Sequence, residues 1–348
     1  MIMFWKKKQF WGSLVAIVLM AFCLKDISLL EIEKMFSKIN YLYLTLSIIC
    51  TFSFIFVKGL RWRVILSQQK DIKVFRAITL FSAGQILNIV MPVLTGQVGR
   101  LFLFSKNEGL RKTVVFSTIL LEIIFDAISL VIFLFITSLA FAFPEKYRIL
   151  SVVILGVTLF VLLIIFLIIH YQTQLENLWR THLREKHPGI YITLTKFIRS
   201  FIKGMDLLKS SQNVISSMLY SILSWIFHTL VIYFLLLAFN FDLPFAAAAA
   251  IMIINTLAVM IPITPGNAGT FELAVSSSLA AFSVGKSDAV MFALALHMLD
   301  FLPIFILGYI YLHFEKVSIR TISSEHEKER ILDKVSEEGV YMEDEEKV

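Results

Sequence analysis

The sequence predicts an all-α polytopic membrane protein with about six full spans and two re-entrant, Pro/Gly-broken helical hairpins arranged in an inverted repeat. Composition, the length of the apolar runs and the placement of lysine and arginine carry this prediction. Hydrophobic residues make up 58% of the 348-residue chain and charged residues only 17%, and the mean hydropathy is strongly positive. A soluble globule of this length is excluded by that balance. The charges gather between apolar runs and in the last part of the chain, leaving stretches long enough to cross about 30 Å of hydrocarbon.

Apolar runs fall at about 10–30, 40–57, 74–96, 113–141, 149–170, 213–239, 245–282 and 289–313. The first follows Lys6, Lys7 and Lys8, as in a signal peptide, but lacks a small-residue cleavage site, so it is expected to remain as a span. Cys23 and Cys50 lie inside apolar runs at no metal or disulfide spacing and read as packing residues.

Orientation follows from the short basic loops. The stretch 58–76 carries Lys58, Arg61, Arg63, Lys70, Lys73 and Arg76, and 100–112 carries Arg100, Lys106, Arg111 and Lys112. Both are expected in the cytoplasm, as is the basic loop 171–212. The connections at 139–148, 240–244 and 283–288 are short, hold few cations and are expected outside. This localises the chain to the cell inner membrane as a multi-pass protein with both termini cytoplasmic.

The run 74–96 lies between two cytoplasmic loops, so it must enter and return. Asn88, Pro92, Gly96 and Gly99 supply residues that stop a helix and turn a chain. The run 245–282 is too long for one span and is broken at Pro262, Pro265, Gly266 and Gly269, which predicts a second hairpin entering from outside. The halves, about 40–141 and 213–313, then match as span, broken hairpin, span in opposite orientations, with Asn88 and Asn255 at corresponding points. Broken helices of this kind meet near the midplane of transporters and line a polar cavity there. Residues 1–313 form the membrane domain, and 314–348 are an acidic cytoplasmic tail.

Ionisable residues within spans cost roughly 2.5–3.5 kcal/mol each on insertion scales and mark candidate sites. Glu122 and Asp126, four apart, share one helical face. His297 and Asp300 occupy the corresponding span of the second half. Glu272 follows the Pro265-Gly266 break, and Arg100 follows Gly99 at the matching point of the first hairpin, an arrangement suited to a charge pair or a zwitterionic head group. Glu122 and Asp126 can also serve merely to pair with Arg61, Arg63 or Arg100, although their cost in lipid favours a cavity role. Arg100 can equally be a snorkelling boundary residue, and His228 reads as structural. The alanines at 246–250 suit close helix packing.

Walker loops, dinucleotide-binding glycine runs, nucleophile elbows and HExxH pairs are absent from the sequence, so neither an ATP-driven pump nor an enzyme is expected, and no cofactor or metal. Attraction to anionic lipid accounts for the basic loops without nucleic acid. Expected partners are membrane lipids and a separate lipid-modifying enzyme, with oligomerisation left open.

The order Arg61-Trp62, Asn88-x-x-x-Pro92-x-x-x-Gly96-x-x-Gly99-Arg100, Glu122-x-x-x-Asp126 and Pro265-Gly266-x-x-Gly269-x-x-Glu272 resembles the flippase-like membrane domain of lysylphosphatidylglycerol synthases, in its stand-alone form without the synthase domain. The likeness spans about 10–313. It implies translocation or binding of a polar-headed lipid; the residues of those motifs, together with Asn255, His297 and Asp300 from the repeat and the buried charges, are the expected cavity residues. The alternative is an intramembrane lipid-modifying enzyme using Glu122 or Asp126 as base, or a scaffold for envelope synthesis. Two departures bear on the cargo: Ile123 and His297 stand where the family usually carries arginine, which argues against assuming the same anionic or aminoacylated lipid.

Overall fold

The computed structural model describes residues 17–21, 23, 37–90, 95–139, 145–183, 188–260 and 264–315. Most of the expected first span, Pro92, Pro262 and the tail beyond 315 lie outside the described residues. The helices are α1 (Tyr41–Leu66), α2 (Val74–Val90), α3 (Thr95–Glu108), α4 (Lys112–Ser138), α5 (Glu145–His170), α6 (Gln172–Leu183), α7 (Pro188–Gly204), α8 (Ser211–Ala238), α9 (Phe245–Val259), α10 (Thr270–Ala280) and α11 (Lys286–Phe314). Among the described residues α1, α4, α8 and α11 are each long and apolar enough to cross a membrane; residues of α5 and α6 form a further candidate bent by 69°.

Helices α2 and α9 are apolar but have only 17 and 15 residues, about 25 and 22 Å of length. Neither reaches across the hydrocarbon alone. Each packs instead against the helix that follows it, α3 or α10. For the first pair the two outer ends meet. Lys70, just ahead of α2, donates to the carbonyl of Glu108 at the end of α3 (2.8 Å), and Arg76 Nε donates to the Glu108 carboxylate (2.8 Å). The chain therefore enters and returns on one side, as expected. Arg76 also pairs with Glu315 and Asn107 donates to the Tyr311 hydroxyl (3.0 Å), which brings the end of α11 to the same mouth.

Helices α1 and α8 form the central pair and run antiparallel. The Asn40 N–H at the start of α1 donates to the Ala238 carbonyl at the end of α8 (2.9 Å). Midway, the Ser47 hydroxyl donates to Val231 O (2.8 Å), the short polar contact that lets apolar helices adhere in lipid. Around this pair the neighbours alternate between halves: α2 packs on α11 and α9 on α4, while α1 touches α11 and α8 touches α4. The alanines at 247–250 are buried on α9, consistent with the close packing expected of them. Phe135 and Phe160 face outward, toward lipid.

Two expectations need correction. Lys58, Arg61 and Arg63 are not in a loop, because α1 continues through them to Leu66 with Trp62, Ile65 and Leu66 buried. The charges ended the apolar run but not the helix. The stretch 171–212 likewise holds α6 and α7 rather than an irregular loop. Ile198 and Phe201 turn one face of α7 inward, and α7 packs on α4.

Gly308 marks the closest approach of α11 to α2, where an added Cβ would stand 2.6 Å from Ile86 Cδ1 and 2.9 Å from the Ser82 carbonyl carbon. The second of these is backbone and cannot turn aside. Gly308→Ala is therefore expected to cost about 1–3 kcal/mol by overpacking, read as a lower midpoint of thermal unfolding in detergent. An unchanged midpoint would show that the two helices separate freely.

Candidate functional site

Two arrays of buried charge flank one cavity. The first is built on α1, α3 and α4. Arg61, with no exposed surface, donates from Nη1 to Asp126 Oδ1 (2.5 Å) and to the Ser221 hydroxyl of α8 (2.8 Å). From Nη2 it reaches Asp126 Oδ2 (3.0 Å), giving a bidentate pair, and lies 3.3 Å from Glu122 Oε1. The other Glu122 oxygen accepts from Arg100, whose guanidinium lies over the rings of Phe81 and Phe104. Lys58, one turn before Arg61, sits 3.6 Å from Asp126 Oδ2. Three cations thus serve two carboxylates. Such a network holds only when its members are paired inside the low-dielectric interior.

The second array lies at the break between α9 and α10. Pro265–Asn267 form one short 3-10 turn in which Gly266 has φ 59°, and Gly269 at the start of α10 has φ 84°. Both values lie in the left-handed region that glycine tolerates best. Glu272 Oε2 accepts from the Gly269 N–H (2.6 Å), while Oε1 lies 2.6 Å from His297 Nδ1; His297 Nε2 lies 3.0 Å from the Gly266 carbonyl. Both ring nitrogens are engaged, so the imidazole ties α10 and the break together at one point of α11. The carboxylate of Glu272 also occupies the positive end of α10. That helix N-terminus is therefore taken by the chain's own acid.

Between the arrays lies a cavity of about 310 Å³, within the size range of small-molecule sites. It is lined by Phe54 and Lys58 from α1, Asn88 from α2, Trp225 and His228 from α8, Asn255 from α9, Gly266 and Asn267 from the break, and His297, Asp300 and Phe301 from α11. Both hairpins and the central pair contribute. Several of its polar atoms have no hydrogen-bond partner among the described residues: Asn255 Oδ1, Asn267 Oδ1, Asp300 Oδ1, Trp225 Nε1 and both His228 nitrogens. His228 Nε2 comes within 3.4 Å of Asp300 Oδ1 without hydrogen-bond geometry. Buried polar groups are ordinarily satisfied, so a cluster of unmet ones in a cavity points to a ligand or to water.

Of the residues expected at the site, Asn88, Asn255, Gly266, His297 and Asp300 line the cavity, and Glu272 stands behind His297. Pro265, Gly266 and Gly269 shape the break. Gly96, Gly99 and Arg100 belong to α3. Arg61, Arg100, Glu122 and Asp126 pair with one another beside the cavity and reach it through Lys58. Arg100 and Glu272 are not partners, since each is bonded elsewhere. Lys58, Trp225, His228 and Asn267 were not expected at the site. The three-residue spacing of Trp225 and His228 on a span and the helical continuation through Lys58 were the available signals.

A broken-hairpin membrane protein with a cavity of mixed polar and apolar lining between its hairpins is the class this geometry defines. The chain belongs to the family described as the lysylphosphatidylglycerol synthase TM region, whose model matches residues 9–308. It is similar to the UPF0104 membrane protein MJ1595 of Methanocaldococcus jannaschii, with 26% identity over 298 residues covering 82% of this chain and 88% of the relative. It is also similar to the UPF0104 membrane protein MJ1078 of the same organism, with 24% identity covering 64% of this chain and 91% of the relative. No solved structure matches the chain.

Proposed function

We propose that this protein binds a polar-headed lipid with its head group in the cavity between the two hairpins, and that it moves the head group across the membrane without ATP of its own and without covalent chemistry. The cavity carries the reading: residues of α8, α9, the break and α11 that carry unmet polar atoms line a space inside an assembly of apolar helices. Membership of a lipid-synthase membrane-region family supports it. The packing supports an inverted repeat as the moving architecture, because exchanging α1–α4 with α8–α11 maps the helix neighbours onto one another. The loop charges support an inner-membrane location with cytoplasmic termini, beside a separate enzyme that makes the lipid.

Proteoliposomes holding the purified protein and a head-group-labelled fluorescent phospholipid test this. Transbilayer exchange faster than in empty vesicles is expected. Exchange no faster than in empty vesicles, across several head groups, overturns the proposal. A deletion strain separates transport from chemistry: altered sidedness with normal lipid composition is expected, and a missing lipid species would mean an enzyme.

A further inference from the structure

The unmet atoms of the residues that line the cavity are sorted by kind. Oxygen acceptors gather on the second hairpin's side: Asn255 Oδ1 on α9, Asn267 Oδ1 in the break and Asp300 Oδ1 on α11. Asn255 is only 2% exposed, so its oxygen has little recourse to bulk water. Asn267 is held in place, its N–H donating to Thr264 O (3.0 Å) and its carbonyl accepting from the Thr270 hydroxyl (2.8 Å). Donors gather on the α1 and α8 side. Lys58 Nζ lies over the rings of Phe54 (4.9 Å) and Trp225 (5.8 Å), the Trp225 indole N–H is unmet, and the His228 ring stacks on Phe54 (4.8 Å).

A ligand meeting both sides has an anionic acceptor at one end and a cationic donor at the other. A phosphate suits Lys58, which the first array leaves as its cation in excess of carboxylates. The other end must bring hydrogen-bond donors and positive charge, because Asp300 is a carboxylate and the two asparagine oxygens need N–H or O–H. A primary ammonium has three N–H donors and no acceptor, so it can serve oxygen acceptors while bringing positive charge to Asp300. Hydroxyl groups would meet the oxygens but bring no positive charge to Asp300, whose nearest cationic neighbour is the ring of His228 (3.4 Å). A quaternary ammonium would balance the charge yet leave the asparagine oxygens unmet.

We propose that the cavity selects a zwitterionic phospholipid head group with a primary ammonium, placed against Asn255, Asn267 and Asp300, and with its phosphate against Lys58. This rests on the cavity being the lipid site. The full-length protein in detergent, loaded with phosphatidylethanolamine, phosphatidylcholine or phosphatidylglycerol of identical acyl chains, tests it by native mass spectrometry. The expected order puts phosphatidylethanolamine first by about tenfold or more over either competitor, the difference of a hydrogen bond to a charged group. Asp300→Asn should lose most of that preference while still retaining phosphatidylglycerol. Lys58→Met should weaken all three lipids.

The comparison among lipids on the unmodified protein needs no variant, so a misfolded mutant cannot hide the answer. Phosphatidylcholine held as tightly as phosphatidylethanolamine overturns the ammonium assignment, as does a preference for phosphatidylglycerol. Displacement of the lipid by equimolar free phosphoethanolamine overturns the lipid as the source of this chemistry. Asn255→Trp, which fills the cavity, should abolish selective retention. If this variant instead keeps all three lipids as well as the unmodified protein does, the cavity holds no head group, and the lipid-site reading itself fails.

Discussion

Arg61→Ala is expected to destabilise the protein by about 3–5 kcal/mol, because it takes the shared, fully buried cation from the buried Glu122 and the partly buried Asp126. Asp126 would lose both arms of a bidentate pair and Glu122 its second cation, with only Lys58 and Arg100 left to compensate. Arg63→Ala, two positions away, removes a half-exposed side chain paired with the well-exposed Asp71 and is expected to cost about 0–1 kcal/mol. Thermal unfolding in detergent of the two variants side by side measures the contrast. Equal midpoints would mean that the buried network contributes no more than a surface pair. The companion double exchange, Arg100→Glu with Glu122→Arg, should recover part of what either single change loses. Pairing Arg100→Glu with Glu272→Arg should recover nothing.

Glu272→Ala is the second large effect. It removes the acceptor of the Gly269 N–H and the partner of His297 in one step, with an expected loss of about 3 kcal/mol. His297→Ala deprives Glu272 of one bond and the Gly266 carbonyl of its donor. Because the two side chains act through each other, the double variant should fall short of the summed single losses by roughly 1–3 kcal/mol, whereas independent sites would add to within about 0.3–0.5 kcal/mol. Additivity would show that the break between α9 and α10 is held by its backbone alone. A head-group readout run alongside should show altered lipid retention in both single variants, since His297 lines the cavity.

Much of the architecture was legible in the sequence, for physical reasons that also set where legibility stops. Proline and glycine inside an apolar run are conspicuous, so the break at Pro265, Gly266 and Gly269 could be placed to the residue. The conflict of basic loops around 74–96 required a returning chain, and the meeting of Lys70, Arg76 and Glu108 shows one. What periodicity cannot supply is which distant partner a buried charge finds. Glu122 and Asp126 share a face, yet nothing local distinguishes Arg61, buried completely, from Arg63, which reaches water two residues on. Lys58 was assigned to a loop because hydropathy falls there, while α1 keeps its apolar positions at Trp62, Ile65 and Leu66. His228 carried no signal of its own. Its place in the cavity follows from the antiparallel packing of α8 on α1, a tertiary fact.

The alternation of neighbours between the halves sets an order of assembly. Helix α2 enters the membrane early in synthesis, but the helix that seals its far face, closing over Ser82 and Ala83 at Gly308, leaves the ribosome only after α3 to α10. Until then the side of α2 that carries Ser82 and Ala83 lacks its packing partner, and the mouth near Arg76 and Glu108 lacks the Tyr311 and Glu315 contacts that close it. The nascent chain is thus a half-built vestibule that only α11 completes.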